Sequence, residues 1–318
     1  MHEQPVKENP MRESLAPGVW GVVATPFQGS TLDVDTDSLA GLVEYYESIG
    51  ATGLTVLGVF GEAAALTAAE RSLVLEVAVE ETGLPLVVGV TSLYTGTAVE
   101  EIRAAQEVAG ERLAAVMVQA NSANPAVVVA HLNAIHQATG AKVVLQDYPL
   151  ASGVSISTGS LINVVQACRF VIAVKAEAPP TSVATAQLTA ALDVSVFGGL
   201  GGQGLLDELL SGAAGAMTGF SYPEALIACV RAWQTDGYEA ARDALLPYLP
   251  LINFEQQARI ALPVRKECLR QRGLIADAGV RAPGAPFPEV LRLSMLNHLA
   301  EAAAALEARP ALTTAGSF

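Results

Sequence analysis

Eight short, β-branched apolar runs alternate with eight Ala/Leu/Glu-rich segments of helical length, each pair taking up roughly 25 to 30 residues. The runs are apolar almost throughout, which suits a parallel sheet covered on both faces. No GxGxxG follows the first run, as a dinucleotide-binding open sheet, the competing doubly wound arrangement, would require. Together these observations predict an α/β protein, a (β/α)8 TIM barrel with a C-terminal helical appendix.

The units follow one another without a gap. The run at 18–27 precedes a helix over 37–49, with Gly50 as its stop. The run at 53–58 leads to a helix over 67–81, ended by Gly83; its start, "TAAE" at 67–70, has the form of a capping box. Runs at 84–90, 113–119, 141–148, 170–177, 194–199 and 213–220 precede helices over 96–109, 125–138, 158–168, 181–192, 202–211 and 223–235. "GGLGGQG" at 198–204 follows the seventh run rather than the first, and reads as a tight turn at the barrel rim, with phosphate binding as the weaker alternative. The alternation stops at 237, and three helical stretches follow, over 238–251, 253–272 and 286–307. The expected organisation is a disordered lead-in over 1–16, the barrel over 17–237 and helices over 238–310 packed on the barrel or on a partner subunit.

Composition narrows the function. Across 318 residues 51% are hydrophobic and 16% charged, ample for a large core. The net charge of −14 argues against nucleic acid and anionic membrane surfaces as partners. No apolar run approaches the roughly 18 to 20 residues of a membrane span, and the polar start "MHEQPVKENPMRES" has no signal-peptide core. Cys168, Cys229 and Cys268 are scattered, which suits reduced thiols in a cytoplasm. His131 and His136 are five apart and no HExxH occurs, so no protein-ligated metal is expected.

Chemistry in such a barrel belongs at the C-terminal ends of the strands. Lysine is scarce, only four in the chain, and one of them, Lys175, sits inside the apolar run "RFVIAVKAE". A strand lysine there either snorkels to solvent or serves as a nucleophile, because burial favours the neutral amine. Glu177 lies two residues on, and side chains two apart on a strand share a face. By the same rule Gln146 and Tyr148 of "QDYP" pair up after strand five. Tyr148 is the candidate acid/base, with packing at the rim as the competing role. After strand two, Gly58, Val59, Phe60 and Gly61 form a loop whose N–H groups can bind a carboxylate, with Phe60 a wall. Glu62 behind it reads as structural rather than catalytic. Gly199 closes the set after strand seven. An amine attacking a ketone, a phenol moving protons and amides holding a carboxylate make an imine-forming site for a 2-oxo acid.

The chain resembles the dihydrodipicolinate synthase / N-acetylneuraminate lyase family of class I, Schiff-base aldolases, from about Gly18 to near its C-terminus. The resemblance rests on "TPF" (25–27), "GVFGEAAALTAAER" (58–71), Pro149, "VKAEA" (174–178) and "LPVRKECLRQRGL" (262–274). It implies a lysine, matched by Lys175, that forms an imine with pyruvate or another 2-oxo acid, no cofactor beyond that covalent imine, and a homo-oligomer, tetramer or dimer. The departures are informative. Val59 and Phe60 stand in place of the family's paired threonines, "QANSANP" (119–125) in place of the synthase's tyrosine pair, Gln146 in place of the strand-five tyrosine and Ala151 in place of the arginine after it. The K-x-E and QD-x-P patterns are similar to branches acting on 2-keto-3-deoxy sugar acids. The expected activity is therefore a lyase, aldolase or dehydratase, on such an acid. The alternatives are the synthase's pyruvate condensation and a non-catalytic 2-oxo acid-binding barrel.

Overall fold

The computed structural model describes residues 13–308. Eight parallel strands close on themselves: β1 (Gly18–Val22), β2 (Gly53–Val56), β3 (Leu86–Gly89), β4 (Leu113–Gln119), β5 (Val143–Asp147), β6 (Val171–Ala176), β7 (Ser195–Gly198) and β8 (Gly215–Thr218). Each pairs with its sequence neighbours, and β8 returns to β1 with Gly18 opposite Gly215. The helices that follow the strands in turn are α1 (Thr36–Ser48), α2 (Ala68–Glu81), α3 (Thr95–Ala109), α4 (Pro125–Thr139), α5 (Thr158–Ala167), α6 (Thr181–Ala191), α7 (Leu205–Leu210) and α8 (Pro223–Asp236).

Most strand positions are buried, because helices cover one face and the barrel interior the other; all six residues of β6 are buried. The interior is filled by Trp20, Val87, Met117, Val144, Ile172 and Met217, among others. Leu15, expected to belong to a disordered lead-in, instead plugs the N-terminal end of this interior. Leu15 is buried among those side chains and donates its N–H to the Ile172 carbonyl at 3.1 Å. The Trp20 indole N–H reaches the Ala16 carbonyl at 3.0 Å. The apolar bottom of the barrel needs such a lid to exclude water. Residues 1–12 of the expected lead-in lie outside the described residues.

Local signals behave as their chemistry dictates. Thr67 and Glu70 form both halves of the capping box. Gly50 follows α1 in the left-handed region, at φ 81°. Gly83 is not the stop of α2; the helix ends at Thr82 in extended backbone. A small antiparallel hairpin, Phe27–Gln28 with Asp33–Val34, interrupts the passage from β1 to α1.

After α8 the chain forms α9 (Tyr238–Leu245), α10 (Leu249–Glu255), α11 (Ala261–Gln271) and α12 (Arg292–Glu307). The break between α10 and α11 falls at 256–260, several residues later than expected. Hydrophobic side chains from all four helices join the cluster that covers the β1, β2 and β8 side of the barrel.

Candidate active site

The strand register builds the site. Gln119 of β4 stands opposite Gln146 of β5, Gln146 opposite Lys175 of β6, and Lys175 opposite Phe197 of β7. Partners in register on a parallel sheet point to the same side, so one row of four neighbouring strands carries an amide, an amide, an amine and a ring. Val174 and Ala176 belong to the outer cluster under the helices. Lys175, between them, points inward.

Its ammonium does not snorkel. Lys175 is 6% exposed, and its Nζ lies 3.2 Å from Oε2 of Glu177, itself 5% exposed. The Glu177 carboxylate also accepts from Gln146 Nε2 at 2.7 Å and from the Leu200 N–H at 3.3 Å. A buried charge is tolerated when it is paired and hydrogen-bonded, and this one is both. These groups open onto a cavity of about 160 Å3 at the C-terminal mouth of the barrel, with Phe60, Tyr148 and Arg265 on its wall. A neighbouring cavity of about 350 Å3 shares Gly58, Val59 and Gln146 with it. Gln119 faces that second space; its Oε1 is buried and accepts no hydrogen bond among the described residues.

The sequence-derived candidates divide into two groups. Lys175, Glu177, Gln146, Tyr148, Gly58, Val59 and Phe60 line the smaller cavity together. Gly61 lies beneath the loop, its carbonyl taking the Thr25 hydroxyl at 2.7 Å. Gly199 is a spacer rather than a contact, and a Cβ there would come within 2.1 Å of Glu177 Oε1. Glu62 has the structural role expected of it. It sits at φ 52° in the left-handed region, and its two oxygens accept from Lys266 Nζ and from the Arg281 N–H, each at 2.8 Å. With Leu57 at φ 57°, it brackets the 58–61 loop with two strained residues, and such strain gathers at binding loops.

Electrostatics separate the groups further. Burial, then the charge of Glu177, raises the Tyr148 phenol above its ordinary range, with Arg265 pulling the other way. The phenol is therefore held as a donor. Burial, then Glu177, pushes Asp147 up to about 6. Glu208, on α7 behind the β7 end, is pushed up to about 7 by burial first, against a hydrogen bond from Thr181.

Several lining residues escaped the sequence reading, Thr218 and Arg265 among them. Thr218 ends β8 and accepts the Gly201 N–H at 2.8 Å; asking what ends the eighth strand would have found it. Arg265 comes from α11, beyond the barrel units, and no strand-end rule points to it. Among the described residues no cluster of His, Cys, Asp or Glu could hold a metal ion, and no helix is long and apolar enough to cross a membrane.

Comparison with known proteins agrees with this fold. The Dihydrodipicolinate synthetase family model matches residues 16–302. An L-2-keto-3-deoxyarabonate dehydratase from Azospirillum brasilense is 28% identical over 86% of this chain and 89% of its own length. A 4-hydroxy-tetrahydrodipicolinate synthase from Kineococcus radiotolerans is 29% identical over 84% and 87%. Among solved structures, the dihydrodipicolinate synthase of Rhodopseudomonas palustris superposes with a TM-score of 0.83 at 27% identity, covering 91% of this chain and 99% of that one.

Proposed function

The chain belongs to the dihydrodipicolinate synthetase family and shares its lyase class, and we propose that it dehydrates a 2-keto-3-deoxy sugar acid through an imine on Lys175. The observation that carries this reading is the buried Lys175–Glu177–Gln146 cluster at the mouth of the barrel. A hydrogen-bonded carboxylate 3.2 Å from the amine can take the ammonium proton and release the nucleophile. The amine adds to the C2 ketone, and Glu177 returns its proton as the carbinolamine loses water. The iminium that remains makes the C3 proton acidic, and the Glu177 carboxylate is again free to take it. The enamine then expels the C4 hydroxyl with a proton from Tyr148, hydrolysis of the unsaturated iminium restores Lys175, and the proton that Glu177 took from C3 passes to the Tyr148 phenolate. The net change is loss of one water.

Cleavage of C3–C4 would need a base on the C4 hydroxyl. Tyr148 is the group on the cavity wall suited to that place, and burial beside Glu177 favours its protonated, donating form. That favours elimination over cleavage. Gln146 and Ala151, in place of a tyrosine and an arginine, weigh against the synthase's condensation. We further propose that the enzyme needs no cofactor beyond the lysine imine, accepts pyruvate as a minimal ligand, and works in the cytoplasm as a homodimer or homotetramer. The scattered, buried cysteines suit a reducing compartment.

Borohydride reduction in the presence of pyruvate or a 2-keto-3-deoxy acid, followed by peptide mass spectrometry, is expected to place an adduct on Lys175 and none on the Lys175→Ala chain. Turnover of the sugar acid should then yield a dehydrated 2-oxo product without free pyruvate. Stoichiometric pyruvate would make the enzyme an aldolase. Binding without turnover would make it a sensor, and rapid consumption of pyruvate plus aspartate semialdehyde would make it a synthase.

A further inference from the structure

Val59 and Phe60 leave the 58–61 loop with backbone N–H groups and no side-chain hydroxyl for a carboxylate. A cation stands directly over that loop. The Arg265 guanidinium carbon lies 4.8 Å from the centroid of the Phe60 ring, and Arg265 lines the same cavity as Lys175. Its other edges are fixed from behind. Nε donates to Glu255 at 3.2 Å and Nη2 to Gln256 at 2.8 Å. Nη1 makes no hydrogen bond among the described residues. A guanidinium held on three sides, with donors still to place, is preorganised for a planar anion.

We infer that Arg265 is the carboxylate anchor of the site, binding the substrate's C1 carboxylate together with the 58–61 backbone amides. This rests on the imine reading, because it assumes that the ligand of the cavity is a 2-oxo acid joined to Lys175. The charges in the cavity support the assignment. Each cation has a carboxylate 3.2 Å away, Lys175 with Glu177 and Arg265 with Glu255, but the Lys175 nitrogen is taken up by the ketone, whereas Arg265 keeps donors for the carboxylate. Arg265 is 6% exposed and gives an incoming anion a cation that needs no rearrangement. Its neighbour in sequence, Lys266, is fully buried and committed to Glu62, Thr25 and Gly279, so the two adjacent cations have separate tasks. Lys266 holds the loop from behind, and Arg265 works in front of it.

The test compares two ketones that differ in charge, pyruvate and methyl pyruvate, by the concentration that gives half-maximal borohydride trapping on Lys175. Removing Arg265 alone leaves Glu255 buried without its partner. The variant to use is therefore Arg265→Met combined with Glu255→Gln, beside Glu255→Gln alone and the charge-keeping Arg265→Lys. A charge-assisted hydrogen bond is worth about 1.5–3 kcal/mol, so the double variant is expected to need about 10- to 100-fold more pyruvate. Methyl pyruvate should trap as in the parent, and so should both ketones with Glu255→Gln alone. Arg265→Lys should recover part of the loss. An equal loss for both ketones would make Arg265 a structural strut, and no loss for pyruvate would overturn the assignment outright. A parent chain that traps neither ketone overturns the imine reading and this proposal with it.

Discussion

Lys175 stands apart from the other described lysines because it projects from a barrel strand into the cavity at the mouth; its charge is met by one carboxylate, fixed from three directions. That arrangement sets the expected cost of two substitutions. Glu177→Gln keeps the shape and loses the base, so kcat should fall by about 10²-fold or more. A kcat within a factor of about two of the parent would remove Glu177 from the chemistry. Tyr148→Phe deletes one O–H and little packing; if the phenol protonates the departing hydroxyl, kcat drops by about 10²- to 10⁴-fold while KM stays near the parent value. A change in KM alone would return Tyr148 to the role of a wall. Lys175 was legible in the sequence because an ionisable residue in an apolar run demands an explanation. Arg265 was not, since in its own stretch, "LPVRKECLRQ", it reads as one of several solvated helix charges. Only the placement of α11 over the barrel mouth makes it otherwise.

The β7 end shows how an element's backbone serves the site. Gly198 and Gly199 are small because carboxylates press on both. An added Cβ would sit 1.7 Å from Glu208 Oε2 at Gly198 and 2.1 Å from Glu177 Oε1 at Gly199. Gly199→Ala must therefore push the Glu177 carboxylate off Lys175. The expected result is a large loss of kcat with only a small fall in Tm, since the displaced group is the end of a flexible side chain. An unchanged kcat would show that Glu177's position is immaterial. Glu208, behind this turn, predicts a pH dependence of stability. Its pKa is raised on folding from 4.5 to about 7. Its contribution is greatest below the unfolded value and is lost as pH rises through about 7, by up to about 3 kcal/mol. Glu208→Gln lacks this loss, so the variant's Tm should gain several degrees on the parent's between about pH 5 and about pH 8. Parallel curves for the two proteins would contradict the buried, raised carboxylate. Helices and strands were readable here from periodicity and caps, as Thr67 and Glu70 show. The Phe27–Val34 hairpin was not, because two-residue strands carry no period, and the α10–α11 break was not, because "INFEQQARIALP" has no glycine or early proline to mark it.

At the scale of the whole molecule, the barrel was legible because its period repeats eight times, while the seating of the C-terminal helices was not, because their anchors are distant ion pairs. Lys266 and Glu62 are 204 positions apart in sequence and 2.8 Å apart in space. Arg272, which caps the end of α11, reaches Glu224 of α8 at 2.7 Å, and Arg281 pairs with Glu70 of α2. Lys266 is the deepest of these anchors. It is fully buried, it bonds the Thr25 carbonyl at 2.9 Å, and it lies 4.2 Å from the centroid of the Phe27 ring. It thereby ties α11 to the ends of both β1 and β2. The helices after 237 should accordingly unfold with the barrel in a single transition, seen at the same urea concentration by far-ultraviolet circular dichroism and by tryptophan fluorescence. Lys266→Met leaves the Glu62 carboxylate buried and unpaired, at an expected cost of about 3–5 kcal/mol. Adding Glu62→Gln should recover most of that cost, because the stranded charge is then gone. Both variants should also raise KM for the 2-oxo acid, since Glu62 holds the strained end of the 58–61 loop that meets the substrate. A loss below about 1 kcal/mol, or two separate unfolding transitions, would mean that the C-terminal helices merely rest on the barrel. Full recovery of stability with KM still raised would separate the two tasks of the pair, and would assign the loop's conformation, rather than the fold's survival, to the bond between Lys266 and Glu62.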